Sequence, residues 1–212
     1  MQDAIILGAG GFAREVMWVT VELKKYRVLA FLDETIGVSE KKEVHSIPVV
    51  KSLDSYLDKS NVNQMPHLIC GTGSNSLRQR WVRQFGTDFQ FETLIHPSAR
   101  IGPKVNVGVG TIITAGCVLT VDILVGNFVN INLNCTVGHD SILEDFCNLS
   151  PGCNISGNVK IGESCDLGTG AIVIPKKTIG KRSVIGAGAV VLSDIPEDSV
   201  AVGIPAKVIR TI

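Results

Sequence analysis

Two residues of the chain carry chemistry that their surroundings do not ask for. They are His139 and Asp140, in the stretch "NCTVGHDSILEDFC" from Asn134 to Cys147. An imidazole beside a carboxylate can act as a general base, one ring nitrogen held by the acid and the other open to take a proton. A histidine on a solvated face can equally be idle. What decides between the two is the element that carries the pair and whatever packs against it.

That element is a repeat. Stepping by six from Ile95 gives Ile101, Val107, Ile113, Leu119, Val125, Ile131, Val137 and onward without a skip to Val191, and every position is Ile, Leu or Val. The position four further on is mostly small, as at Ala99, Thr111, Cys117, Cys135, Ser141, Cys147, Cys153, Cys165, Ala171, Ser183 and Ala189. A six-residue period with one inward aliphatic and one inward small residue is the pattern of a hexapeptide parallel β-helix, a triangular prism with three hexapeptides to the coil. Glycines recur just after the aliphatic residue, at Gly102, Gly108, Gly126, Gly138, Gly162, Gly168, Gly180 and Gly186, where the corners are expected to need tight turns. The open end of such a prism needs cover. The preceding domain is expected to supply it at one end, and the tail "DIPEDSVAVGIPAKVIRTI" at the other.

The same period places the other candidate groups. Five of the six cysteines fall in the small inward register, which reads as core filling. They show neither metal-ligand spacing nor a disulfide framework. No metal site is expected. His139 sits two residues past the inward Val137, in a register shared with Pro103, Asn127, Asp145, Pro151, Glu163 and Lys181, so it faces outward. His96 marks the start of the first coil, and His45 and His67 are given no role. A hexapeptide carbonic anhydrase would need three imidazoles on zinc. The prism has only His96 and His139, more than two coils apart.

A second chemical feature stands near the start. In "AIILGAGGFAREVMWVTVELKKY", Gly8, Gly10 and Ala13 match G-x-G-x-x-G/A between a short apolar strand and a helix whose Phe12, Val16, Val19 and Leu23 share one face. "VLAFLDE" is a second strand ending at Asp33 and Glu34. "IPVV" and "HLICGTG" are further strands, and "SNSLRQRWVRQF" is a helix opened by a capping Ser or Asn. A glycine turn at a helix N-terminus is an anion site, and an acid after the second strand can accept from sugar hydroxyls. The turn could also do no more than pack a helix on a strand, or hold a dinucleotide. The domain is short for the two halves that a dinucleotide needs, which favours a mononucleotide or a sugar carrying one.

Composition narrows the classes. The 212 residues carry 20 basic and 20 acidic side chains, which argues against a nucleic-acid or membrane-surface partner. No apolar run approaches the ~18 residues of a membrane span, and the start lacks a basic leader. A soluble, cytoplasmic protein is expected. Of eleven aromatics only Phe128 and Phe146 follow residue 95, so the second half must build its core from aliphatic and small side chains.

Taken together, "GAGGFAREV", "GHDSILEDF", "SGNVKIGESC", "LGTGAIVIP", "IGAGAVV" and "GIPAKVI" resemble the bacterial sugar acyltransferases of the sialic-acid O-acetyltransferase and nucleotide-aminosugar N-acetyltransferase type, over nearly the whole chain. The resemblance implies a Rossmann-like α/β domain over residues 1–94, a left-handed β-helix over 95–196 and a capping tail over 197–212. It implies a homotrimer with active sites between subunits, and acetyl-CoA as co-substrate with no metal. It implies His139 as general base and Asp140 as the acid that raises its basicity. Asn132, Gly10, Gly11, Phe12, Asp33, Glu34 and Gly73 would then contact the nucleotide sugar. Asn148, Thr169 and Ala187 would contact acetyl-CoA. Relatives often have His where Phe12 stands, and part of the group has His at the position of Asn148.

The expected reaction is acetyl transfer to an amino group of a nucleotide-linked amino-deoxy sugar in surface-glycan biosynthesis. O-acetylation of a sialic acid or related sugar is the alternative, and a non-catalytic nucleotide-sugar-binding protein is a third reading. Backbone N–H groups around Gly152 or Gly157 are expected to hold the oxyanion. Six bases near the end, Lys176, Lys177, Lys181, Arg182, Lys207 and Arg210, are either a solvated face or an attractor for the phosphates of CoA.

Overall fold

A computed structural model describes residues 1–34, 43–57 and 65–212. The chain divides into two compact units, Met1–Thr93 and Leu94–Ile212.

The first unit is a small α/β fold of Rossmann type. Its elements are β1 (Gln2–Leu7), α1 (Gly11–Leu23), β2 (Tyr26–Leu32), β3 (Glu43–Val44), β4 (Ile47–Val50), α2 (Leu53–Leu57), β5 (His67–Cys70) and α3 (Asn75–Phe85). The sheet order is β3-β4-β2-β1-β5, parallel except for β3. Strand β1 lies inside the sheet between β2 and β5, and Ala4 to Leu7 are wholly buried because both faces of a parallel sheet are covered. Helix α1 buries Ala13, Val16, Val19 and Thr20. Phe12 and Leu23 are only half-buried, so the apolar face is turned slightly from the expected one. Helix α3 starts as its sequence indicates: Ser74 is the N-cap, and its Oγ accepts from Leu77 N at 3.2 Å.

The second unit is a left-handed parallel β-helix. Seventeen two-residue strands run from Leu94–Ile95 to Val190–Val191, and each pairs in parallel with the strand 18 residues away, as Val118–Leu119 does with Thr136–Val137. They form three sheets, one per prism face. The third face continues into Ser199–Val202, which pairs in parallel with Val184–Ile185, and Lys207–Thr211 returns antiparallel along it. From Ile113 to Val191 every sixth residue is buried, and so are the small inward residues from Thr111 on, including five cysteines. In the first coil the ladder is only partly buried, with Ile101 36% exposed. Among the described residues its strands pair on one side only.

The glycines after the aliphatic rungs do not make the corners, contrary to expectation. The left-handed residue of each corner comes two places later: Asp122, Phe128, Asn134, Asp140, Phe146, Asn158 and Ser164 all have φ near +60°, and glycine takes that place at Gly152, Gly170 and Gly188. The rung-following glycines serve the spacing of the coils instead. A side-chain carbon on Gly102 would stand 1.6 Å from Thr120 O, and one on Gly138 would stand 2.6 Å from Gly157 N.

Candidate active site

The first unit gathers six of the expected site residues around one cavity. Gly10, Gly11, Phe12, Asp33, Glu34 and Gly73 line a space of about 390 Å³, together with Gly8, Thr72, Leu77, Arg80 and Trp81. Its place follows from topology. The connections after β1, β2 and β5 all open at the carboxyl ends of the strands, and β1 lies between β2 and β5, where the sheet reverses order. Such a switch point is where open α/β sheets hold ligands.

Local sequence shapes the cavity. Gly8 has φ +101°, and an added side-chain carbon would meet Gly71 O at 2.9 Å. On Gly71 such a carbon would meet Ile6 at 2.6 Å and Ala13 at 3.0 Å, so glycine there lets α1 lie close to β5. Among the described residues the N-terminus of α1 has no side-chain cap, and its first turn has no acid, which leaves its N–H groups open to an anion.

The walls of the cavity carry charge. Glu34 accepts a hydrogen bond from Arg80 of α3, an ion pair between two of its walls. Arg78 is fully buried, and its guanidinium donates to Thr72 O at 3.0 Å, holding the loop that lines one side. Sequence reasoning missed Leu77, Arg80 and Trp81, although their i, i+3, i+4 spacing puts them on one face of α3. Burial pushes the Cys70 thiol up to about 12, far from a nucleophile's range.

His139 and Asp140 lie at a prism corner, just after the strand Thr136–Val137. His139 Nδ1 and Asp140 Oδ2 are 2.7 Å apart, and both side chains are more than half exposed. The backbone is pinned to its neighbours. His139 C=O accepts from Asn158 N at 2.7 Å, and Asp140 N donates to Val121 O at 3.3 Å. The outer edge of the imidazole lies over Gly157, one coil further on. Among the described residues nothing accepts from Gly157 N, whereas Gly152 N is already committed to Leu133 O at 2.8 Å. Of the two expected oxyanion donors, only Gly157 therefore has a free N–H. The period itself could have singled it out, because residue 157 is 18 after 139.

The remaining expected residues stand elsewhere on the prism. Asn132, Asn148, Thr169 and Ala187 belong to the face built on Asn130–Ile131, Asn148–Leu149, Asp166–Leu167 and Val184–Ile185, or to the corner that follows it. Asn132 Oδ1 accepts from Leu133 N at 2.7 Å. Asn148 is the middle of a side-chain ladder, accepting from Asn130 at 3.1 Å and donating to Asp166 at 2.5 Å. Thr169 and Ala187 are exposed. One chain thus does not bring these four to the corner of His139 and Asp140.

Among the described residues, no group of three or more His, Cys, Asp and Glu side chains could hold a metal ion. Among them too, no helix is long and apolar enough to cross a membrane.

A Rossmann-type unit with an uncapped glycine turn, followed by a hexapeptide prism with an outward His–Asp pair, defines a two-part hexapeptide-repeat protein. Residues 3–85 match the PglD N-terminal domain. Perosamine N-acetyltransferase from Caulobacter crescentus, solved as a mutant with CoA and GDP-perosamine, is 33% identical, with 98% of this chain and 97% of that one covered and a TM-score of 0.88. The acetyltransferase domain of PglB from Neisseria gonorrhoeae is 30% identical over 99% and 100% of the two chains, with a TM-score of 0.89. It has also been solved with acetyl coenzyme A. WeeI from Acinetobacter baumannii is 25% identical over 99% and 100%, with a TM-score of 0.87. No curated protein matches the chain. The chain belongs to the hexapeptide-repeat sugar acetyltransferases.

Proposed function

We propose that the protein transfers an acetyl group from acetyl-CoA to the amino group of a nucleotide-linked amino-deoxy sugar, with His139 as general base. The observation that carries this reading is the His139–Asp140 contact at 2.7 Å. A carboxylate on Nδ1 leaves Nε2 as the proton acceptor, at a corner where the Gly157 N–H is free.

The reaction then needs no covalent enzyme intermediate. The sugar amine attacks the thioester carbonyl while Nε2 takes its proton. The Gly157 N–H donates to the oxygen as it becomes an oxyanion. The C–S bond breaks, and the CoA thiolate leaves and takes up the proton that Nε2 holds, which restores the base. The cysteines take no part, since all six are buried.

In this reading the cavity of the first unit holds the nucleotide part. The diphosphate sits at the N-terminus of α1 near Gly10, Gly11 and Phe12, and Asp33 and Glu34 take the ribose or base. Acetyl-CoA lies against Asn148, Thr169 and Ala187. Because these stand on a different part of the prism from His139, a homotrimer completes the site by setting that face of one copy against the His139 corner of the next. The enzyme would work in the cytoplasm, supplying acetylated sugars for surface glycans.

The test is thiol release from acetyl-CoA with UDP-, GDP-, dTDP- and CMP-linked amino sugars, beside hydroxyl acceptors. Turnover with one amino sugar, lost in His139→Ala, is the expected result. Turnover with hydroxyl acceptors alone, or full activity in His139→Ala, would overturn the reading.

A further inference from the structure

Residue 157 stands one coil beyond His139, in the same place relative to its rung. The strands that precede the two, Thr136–Val137 and Asn154–Ile155, are paired neighbours. An ideal side-chain carbon built on Gly157 would lie 2.5 Å from His139 Nε2, 2.7 Å from Cε1 and 2.9 Å from Cδ2. These atoms form the outer edge of the imidazole, and all three distances are too short for any real side-chain carbon. Gly157 itself is buried.

Two ordinary reasons for a glycine are absent here. Gly157 does not have a positive φ, and the left-handed residue of its corner is Asn158. Nor is the nearest obstacle the backbone of a neighbouring coil, as it is at Gly138, where the carbon would meet Gly157 N at 2.6 Å. The nearest atoms to a carbon on Gly157 all belong to the ring of His139. Other residues at this place in the same column are Pro103, Val121 and Pro175, so the scaffold accepts bulk there.

We propose that Gly157 is a positioning residue for the general base. Its missing side chain is the seat on which the imidazole rests. Asp140 fixes one edge of the ring through Nδ1, and the seat fixes how far Nε2 stands from the prism. The proposal rests on the reading of His139 as the base. It adds that the position of Nε2 is set by a residue 18 places away. A methyl group at 157 tips the ring outward and carries Nε2 from the line of proton transfer, and a displacement of about 1 Å at a reacting group can cost ~10²-fold in rate.

Gly157→Ala tests this cleanly because alanine keeps the backbone N–H. The expected result is unchanged oligomer size, kcat lower by about 10²-fold, and KM for both substrates within about threefold of wild type. In histidine-labelled protein the ring ¹⁵N signals of His139, assigned by their loss in His139→Ala, should shift in Gly157→Ala without substrate. Wild-type turnover in Gly157→Ala beside an inactive His139→Ala overturns the proposal. If His139→Ala stays active, the base reading falls on its own. The seat is then judged by the ring signals, and unshifted signals overturn it. If Gly157→Ala does not fold, the double variant with His139→Ala must fold, because the methyl then enters the space left by the ring. Failure of the double variant overturns the proposal too.

Discussion

Asp140 holds His139 from a left-handed corner of the coil. The two side chains are neighbours in sequence, yet Nδ1 and Oδ2 come within 2.7 Å, with Asp140 at φ 59°. Aspartate and asparagine tolerate that conformation better than other residues with a side-chain carbon. The acid of the pair is thus also the corner residue of the coil, and its two tasks can be separated by substitution. Asp140→Asn keeps the corner but removes the charge. Its melting temperature should stay within a degree or two of wild type while kcat falls about 10- to 10²-fold, a share of what a general base contributes. Asp140→Ala should lose the same activity and also about 1–2 kcal/mol of stability to the left-handed backbone. Equal stability in the two variants would detach the corner from the side chain.

The bases near the C-terminus fall into two groups. Lys181 pairs with Glu197 at 3.4 Å, and Arg182 with Asp198 at 2.5 Å. Among the described residues, Lys176, Lys177, Lys207 and Arg210 make no ion pair. If the phosphates of CoA are drawn to this end, the four without carboxylate partners carry the attraction. Neutralising all four should raise the KM for acetyl-CoA at low salt, with the difference shrinking as salt screens the charges. Neutralising Lys181 and Arg182 should change it little. Initial rates at two ionic strengths decide, and a KM that ignores the four would leave them as a solvated face.

Much of this molecule is legible in its sequence because a β-helix is periodic. One position in six names the rungs, and four beyond it names the small inward partners, so the role of five cysteines follows without coordinates. The outward place of His139 follows by subtraction. The glycine turn and the acids after the second strand locate the cavity, because a βα turn fixes where strand ends open. What periodicity did not give was the reason for individual glycines. Gly138 and Gly152 fall in different registers of the period, yet nothing in the sequence says that one permits close coils and the other makes a left-handed corner. Partners brought together only by folding were also hidden. His67 and Glu92 are 25 residues apart and bond at 2.5 Å, although neither position advertises the other.

That hidden contact gives a prediction about acid. Glu92 is almost fully buried in the first unit and accepts from Tyr26, from His67 at 2.5 Å and from Lys25 at 3.3 Å. Burial alone pushes its carboxyl up, but the bonds from Tyr26 and His67 and the charge of Lys25 outweigh it and hold the group below the usual range. A carboxyl lowered in the folded state contributes stability that is complete above its unfolded value and lost as pH falls through the folded one. Glu92→Gln should therefore melt lower at pH 7, by the ~1–3 kcal/mol of a buried group that loses its charged partner. The gap should begin to narrow as the pH falls through the ordinary glutamate value of about 4.3, and close only as the pH passes below the folded group's own, lower value. Thermal melts between pH 7 and 3 would show it, and a gap that stays constant with pH would assign the loss to packing.

Gly168 and Gly170 are two residues apart and should fail in different ways. A side-chain carbon on Gly168 would stand 2.5 Å from Ala187 N and 2.9 Å from its Cα, backbone that cannot move without parting two coils. On Gly170 it would meet nothing within 4 Å among the described residues, but the residue sits at φ +70°. The first glycine is required by space and the second by conformation. Alanine should cost ~1–3 kcal/mol at 168 through overpacking, and about 1–2 kcal/mol at 170 through the left-handed backbone. Asparagine separates the causes. Asn134 already fills the place equivalent to Gly170 two coils earlier, at φ 56°. Gly170→Asn should thus unfold near the wild-type urea midpoint, whereas Gly168→Asn should be no better than Gly168→Ala, since a larger side chain cannot relieve a clash at its first carbon. Equal midpoints for the two asparagine variants would mean that the coils part more easily than their backbone contacts imply.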